Sequence, residues 1–166
     1  MSVDLKPMSS TDRNCVTNMF QLYLHDMSEF TKLGVAGDGK YEFDQEIIEA
    51  YFREAQHFPY FILHENDIAG FALVRKYPYD KSVLDMGQFF VLRKHARKGL
   101  GQRAFELCLQ KHPGEWQVRI LPQNLPAQSF WKATISKLTG NEFSSQTADY
   151  QGHKMNFLSF SYPGMT

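Results

Sequence analysis

Residues 88–102, QFFVLRKHARKGLGQ, are the stretch from which the fold can be read. An apolar, aromatic strand from Gln88 to Leu92 runs into a basic segment holding Arg93, Lys94, His95, Arg97 and Lys98. Gly99-Leu100-Gly101 follows, and then an amphipathic helix. Two glycines let the backbone turn tightly and come close to a ligand. The first turn of the helix has N–H groups without intrahelical partners, and the helix dipole adds to their preference for anions. Strand, basic turn and helix N-terminus therefore describe a polyphosphate cradle, with Arg and Lys supplying full charges.

The rest of the chain bounds what that cradle can serve. At 166 residues, a single domain spanning 1–166 is expected, long enough to bury a real core. Eighteen basic residues balance eighteen acidic ones, which argues against a nucleic-acid coat, a function that calls for strong positive charge. Cys15 and Cys108 form no C-x-x-C pair and fall in helical patterns, so neither a disulfide framework nor a zinc site is expected. Met1 to Ser10 has no apolar core and no stretch approaches the ~20 apolar residues that span a bilayer. No membrane association and a cytoplasmic location are the expectation. Most of the fourteen Phe and eight Tyr fill the core on the ordinary reading; on the sharper one some line an acceptor pocket.

Outward from the cradle, Val3 to Lys6 reads as a short first strand. Val16, Met19, Phe20, Tyr23, Leu24 and Met27 recur at helical spacing, predicting a helix near 11–29. Residues 31–43 carry three glycines and read as a loop. Asp44 can cap a second helix with Ile47, Ile48, Tyr51 and Phe52 on one face. Pro59 marks the change to strand, and two strands flank the turn Glu65-Asn66-Asp67, a hairpin signature. Ser82 to Leu92 is the strand entering the cradle. Beyond the cradle helix, where Cys108 reads as a small buried hydrophobe, Trp116, Val118 and Ile120 alternate with Gln117 and Arg119 as a strand. Asn124 and Pro126 open another helix closed by Gly140. Residues 142–150 and 153–160 form a final strand pair. The order predicts a mixed α/β (α+β) domain of about seven strands, largely antiparallel, flanked by about four helices.

Gly99 to Ala104 formally matches the dinucleotide fingerprint G-x-G-x-x-A. That motif requires an acid about twenty residues on, at the end of the next strand, and this strand ends Ile120-Leu121-Pro122-Gln123-Asn124. No Walker A pattern occurs either. The chain instead resembles the GNAT superfamily of acetyl-CoA-dependent N-acetyltransferases, in length, element order and two motifs. Arg97-Lys98-Gly99-Leu100-Gly101 is similar to the family's Q/R-x-x-G-x-G/A pyrophosphate loop. Asn124-Leu125-Pro126-Ala127-Gln128-Ser129-Phe130-Trp131 is similar to its N-x-x-A-x-x-F-Y segment.

The resemblance implies that the Gln88–Leu92 and Trp116–Leu121 strands splay apart and that the pantetheine arm of acetyl-CoA lies between them. It would pair with backbone near Phe90, Val91 and Leu92. Amides of Arg97, Lys98, Gly99, Leu100, Gly101 and Gln102 would hold the pyrophosphate, with Asn124, Phe130 and Trp131 bordering the cofactor. The implied activity is transfer of acetyl from acetyl-CoA to a primary amine by direct attack, the acceptor being a small molecule or peptide. A homodimer through the C-terminal strands is suggested by analogy.

The chain departs from the family pattern at three positions. Ala96 opens the loop motif in place of Gln or Arg. Trp131 stands where many members carry a tyrosine acid, and an indole cannot give a proton to a thiolate. Gln88 stands where many carry a glutamate base. Catalytic candidates are therefore Gln88, which can position a water, and Asp26 near the end of the first helix, which with Glu29 could attract a cationic amine. The ordinary reading of Asp26 and Glu29 is solvated charge. Strand parity puts Asp85 on the face opposite Gln88, in a structural role. The six histidines show no metal-ligand spacing. The competing function is a non-catalytic acyl-CoA-binding or regulatory module on the same fold.

Overall fold

The computed structural model describes residues 2–164. One seven-stranded sheet organises them: β1 (Val3–Pro7), β2 (His57–His64), β3 (Asp67–Tyr77), β4 (Asp80–Val91), β5 (Gly114–Ile120), β6 (Ser144–Tyr150) and β7 (His153–Tyr162). Their spatial order is β1-β2-β3-β4-β5-β7-β6, and every neighbouring pair is antiparallel except β4 and β5. Helices α1 (Arg13–Met27) and α2 (Glu46–Arg53) cover one face, and α3 (Leu100–Lys111) and α4 (Leu125–Thr139) the other. This is the mixed sheet with four helices that the element order predicts.

Each face buries its own core. Val16, Phe20, Ile48 and Phe71 pack on the α1/α2 side. Phe105, Trp116, Ile135 and Leu158 pack on the α3/α4 side, where Cys108 is fully buried and its thiol pushed up to about 12 by desolvation. The turns have the chemistry their geometry demands. Glu65 and Asn66 both take positive φ, 49° and 70°, as a two-residue hairpin turn requires. Asn124 caps α4 by accepting from the Ala127 amide at 3.1 Å, and Gly140 closes the helix in a left-handed conformation.

Several boundaries differ from the sequence expectation. The first helix is shorter than 11–29: a 3-10 turn at Ser10–Asp12 precedes it, with the Ser9 amide donating to Asp12 Oδ2 at 2.8 Å. It stops at Met27, where the Ser28 amide bonds back to both Leu24 and His25 carbonyls. Pro59 lies inside β2 rather than before it. β1 ends opposite Tyr60, so the donor that proline lacks is not missed there. Within the loop over residues 31–43, Val35 and Tyr41 form one antiparallel bridge.

A correction with consequences concerns β4. Leu73 pairs with Gln88 but Val74 pairs with Met86, so Gly87 is an extra residue, a bulge. The bulge resets the alternation. Asp85 and Gln88 consequently face the same side, toward α1 and α2, and not opposite sides as unbroken parity would have it.

Candidate active site

β4 and β5 pair over three rungs only, Val83–Glu115, Leu84–Trp116 and Asp85–Gln117. Past Asp85, β4 stays with β3 and β5 stays with β7, so a gap opens between them. The Leu92 amide donates to Ala69 O at 2.7 Å. In an antiparallel ladder such bonds alternate along the strand, which turns Phe90 toward β3 as well. The N–H and C=O of Phe89 and Val91 are left pointing into the gap. Of the expected pantetheine contacts, Val91 keeps a gap-facing backbone; Phe90 and Leu92 spend theirs on β3, and Phe89 is the added member.

The cradle follows directly. Arg97 and Gly99 both adopt left-handed conformations, φ 63° and 72°, wrapping the chain into the start of α3. The Arg103 amide is the first in α3 to reach back, to Gly99 O at 3.1 Å. The amides of Leu100, Gly101 and Gln102 thus form the helix's open N-terminal turn. Gly101 leaves room for the Phe130 ring, which a Cβ there would approach to 3.0 Å. Above this turn lies a cavity of about 650 Å³ lined by Phe89, Val91, Arg97, Gly101, Phe130 and Trp131 among others. A second of about 640 Å³ shares Val91, Ala96, Arg97 and Pro126 with it and extends to Asp26, Glu29 and Arg93. Arg97 and Lys98 are exposed, free to meet phosphate. The loop is anchored from behind: His95 is buried, and its Nδ1 lies 2.8 Å from Nδ1 of His64 on β2. Burial first, then the nearby His64, Lys94 and Lys98 charges, hold His95 below the ordinary histidine range.

On the α4 side, Phe130 and Trp131 line the cavity. Trp131 is largely buried, edge-on to Phe89 at 5.2 Å and Phe105 at 4.8 Å. Asn124 turns its amide toward Met27 Sδ at 3.9 Å, and Gln123 Nε2 donates to Phe30 O at 2.9 Å. These contacts tie the end of α1 to the start of α4.

The two catalytic candidates are not brought together. Asp26 accepts from Arg93 Nη2 at 2.8 Å beside the second cavity. Gln88 lies half-buried on the α1-facing side of β4. Between them in the chain's packing is Tyr23, edge-on to Phe71 and Phe90, both at 5.8 Å. Desolvation pushes its phenol up to about 12, against the pull of the Arg119 charge. It keeps its proton at neutral pH.

At the vertex of the gap sits a cluster that strand patterns missed. Asp85 is fully buried. Its Oδ2 accepts from Arg75 Nε at 2.8 Å and Arg119 Nη2 at 3.0 Å. Its Oδ1 accepts from Arg119 Nε and Gln117 Nε2, both at 3.0 Å. The two guanidiniums hold its carboxyl below the usual range despite burial, the largest opposing effect. Arg119 also lies over the Tyr150 ring at 4.0 Å, and Arg75 donates to the Tyr150 hydroxyl at 3.0 Å. Gln117 and Arg119 read as the solvated face of an alternating strand, and only the bulge at Gly87 reveals what they meet. Among the described residues, no group of three or more His, Cys, Asp or Glu is placed to hold a metal, and no helix is long and apolar enough to cross a membrane.

Comparison with known proteins adds to this geometry. Residues 18–134 match the family model described as acetyltransferase (GNAT) family. No curated protein sequence matches the chain. Among solved structures, an acetyltransferase from Thermus thermophilus is 15% identical with TM-score 0.66, covering 97% of both chains. The ribosomal-protein-S18-alanine N-acetyltransferase from Escherichia coli is 11% identical with TM-score 0.63, covering 99% of this chain and 96% of its own. A Bacillus anthracis protein solved in complex with acetyl coenzyme A is 13% identical with TM-score 0.59, covering 98% of both.

Proposed function

The chain belongs to the GNAT acetyltransferase family, and from that premise we propose that it moves acetyl from acetyl-CoA to a primary amine by direct attack. The observation that carries this reading is the gap beyond Asp85–Gln117, edged by free backbone of Phe89 and Val91 and ending at the open turn of α3. Pantetheine takes the place of the missing rungs. The pyrophosphate rests on the amides of residues 97–102, with Arg97 and Lys98 as counter-charges. Phe130 and Trp131 wall the arm on the α4 side.

The amine nitrogen attacks the thioester carbonyl carbon, a C–N bond forms, and the C–S bond breaks with its electrons leaving on sulfur. A gap-facing N–H of β4 polarises the carbonyl oxygen as charge develops there. The proton lost by nitrogen passes through water positioned by Gln88. Tyr23, still protonated, gives its proton to the departing thiolate in place of the acid that Trp131 cannot be, and regains one through water from the proton the amine released. Orienting two reactants is worth about 7–11 kcal/mol, more than the roughly 10²–10⁴-fold that positioned acid–base groups add. The reaction thus survives the absence of a carboxylate base at position 88.

Titration calorimetry with acetyl-CoA, followed by thiol release across an amine panel, tests this. Micromolar binding with turnover of at least one amine is expected; no binding at hundreds of micromolar overturns it. Gln88 and Trp131, both in place of ionisable groups, favour a second reading, a non-catalytic acyl-CoA-binding module. Tight binding without turnover of any amine is its signature.

A further inference from the structure

We infer that the amine acceptor carries its own carboxylate, which docks against Arg119 on the α1-facing side of the gap; this rests on the transfer reaction proposed above. The vertex cluster holds two guanidiniums and one carboxylate. Arg75 and Arg119 side chains are 16% and 8% exposed, and Asp85 is the only acidic group bridged to either among the described residues. Asp85 has no capacity left: each of its oxygens already accepts two hydrogen bonds. One positive charge is left over in a poorly solvated place, a costly state unless an anion completes it.

The leftover charge stands where an acceptor must approach. Arg119 lies two residues past Gln117, beyond the last rung, and so inside the gap. It is on the same face as Gln117, and the bulge brings Gln88 and Phe90 of β4 to that face too. Its Nε and Nη2 are engaged and Tyr150 covers its plane, while Nη1 donates to no protein group among the described residues. Arg119 is also the charge felt by the Tyr23 phenol across the gap. At the vertex itself a cationic acceptor finds no free acid, because Asp85 is consumed within the cluster; Asp26, paired with Arg93, and Glu29 lie at the second cavity instead.

A carboxylate on the acceptor neutralises the cluster at one end while the amine end reaches the thioester.

The test compares three versions of each acceptor skeleton: the α-amino acid, its carboxamide and its decarboxylated amine. Thiol release from acetyl-CoA is measured for all three across several side chains. The carboxamide amine is less basic, so basicity alone would favour it. The expected result is kcat/KM at least tenfold higher for the amino acid than for either partner in the productive skeleton. Arg119→Met brings that ratio to near one, Arg119→Lys retains part of it, and acetyl-CoA affinity is the same in all. Arg119→Met leaves Asp85 and Arg75 as a matched pair, so folding is retained; circular dichroism checks this. If carboxamides or decarboxylated amines turn over equally well, or the preference survives Arg119→Met, the inference is overturned while the transfer reaction stands. If acetyl-CoA binds and no acceptor turns over, both fall. Peptides tested alongside free amino acids separate a metabolite carboxylate from an acidic side chain.

Discussion

The Tyr51 hydroxyl occupies the space that any side chain on Gly87 would need, and from there it donates to Leu73 O at 3.0 Å. The extra residue in β4 is thus locked from above by α2. Burial keeps the phenol protonated well above its usual range. Gly87→Ala forces Tyr51 out of this position and costs about 1–3 kcal/mol, as overpacking does. Tyr51→Phe removes the obstructing oxygen, so the double variant Gly87→Ala/Tyr51→Phe recovers part of that loss. Denaturant unfolding of the four species measures the coupling.

Asp85→Asn leaves two buried guanidiniums facing a neutral amide and costs about 3–5 kcal/mol. Arg119→Met, which leaves a balanced pair, costs less. The pH dependence has a definite sign. The folded-state carboxyl lies below the ordinary value of about 3.9, so the unfolded chain binds the proton first as pH falls. Its contribution is complete above about pH 4 and is lost below, through the depressed folded value. Stability curves of wild type and Asp85→Asn converge in that acid range; parallel curves would refute the assignment.

His95 has the same sense from a different cause. Burial lowers the imidazole, so the unfolded chain takes up a proton near the ordinary value of about 6.5 while the folded chain stays neutral to lower pH. Stability therefore falls as pH drops below about 6.5. Protonation also places a charge beside His64 behind the phosphate loop, with Lys94 and Lys98 adding repulsion and Asp67 opposing it. Acetyl-CoA affinity should decline between about pH 7.5 and 5.5, and less steeply in His95→Gln. Calorimetry at both pH values checks this.

Gly101→Ala places a methyl 3.0 Å from the Phe130 ring edge, at the amides proposed to hold phosphate. Acetyl-CoA binding should weaken roughly tenfold, or ~1.4 kcal/mol. The melting temperature of the free protein changes little, because Phe130 is only partly buried and can turn aside.

Tyr23→Phe removes the proposed proton donor and lowers kcat by tenfold or more, toward the ~10²–10⁴ range of a positioned acid. With the phenol at about 12, wild-type kcat shows no alkaline fall from this residue below that pH. A variant with unaltered kcat excludes the role.

Much of this is readable in the sequence alone. Gly99 and Gly140 announce left-handed turns and Asn124 a side-chain cap, so cradle and helix ends follow from composition and spacing. Val16 to Met27 and Trp116 to Ile120 announce their elements through periodicity. The vertex cluster is hidden for a physical reason. Alternation assigns faces only along an unbroken strand, and Gly87 breaks it without a local signal stronger than one glycine. Arg119 reads as solvent-facing because polar residues on an alternating strand usually are. Tyr23 is visible as a helix-stripe aromatic, but its place edge-on to Phe71 and Phe90 is set by the fold.

The three rungs from Val83–Glu115 to Asp85–Gln117 are all that joins two otherwise self-sufficient antiparallel sheets, β1–β4 and β5–β7–β6. Each of those halves is held by longer ladders, the shortest having five rungs, between β1 and β2, against three at the junction. With the fewest rungs, the seam is the part of the sheet that opens most easily. In the binding mode proposed above, a cofactor seated in that seam acts as an eighth strand. Its arrival completes the sheet as well as the active site, and protection of the β5 amides from hydrogen exchange records how far it has.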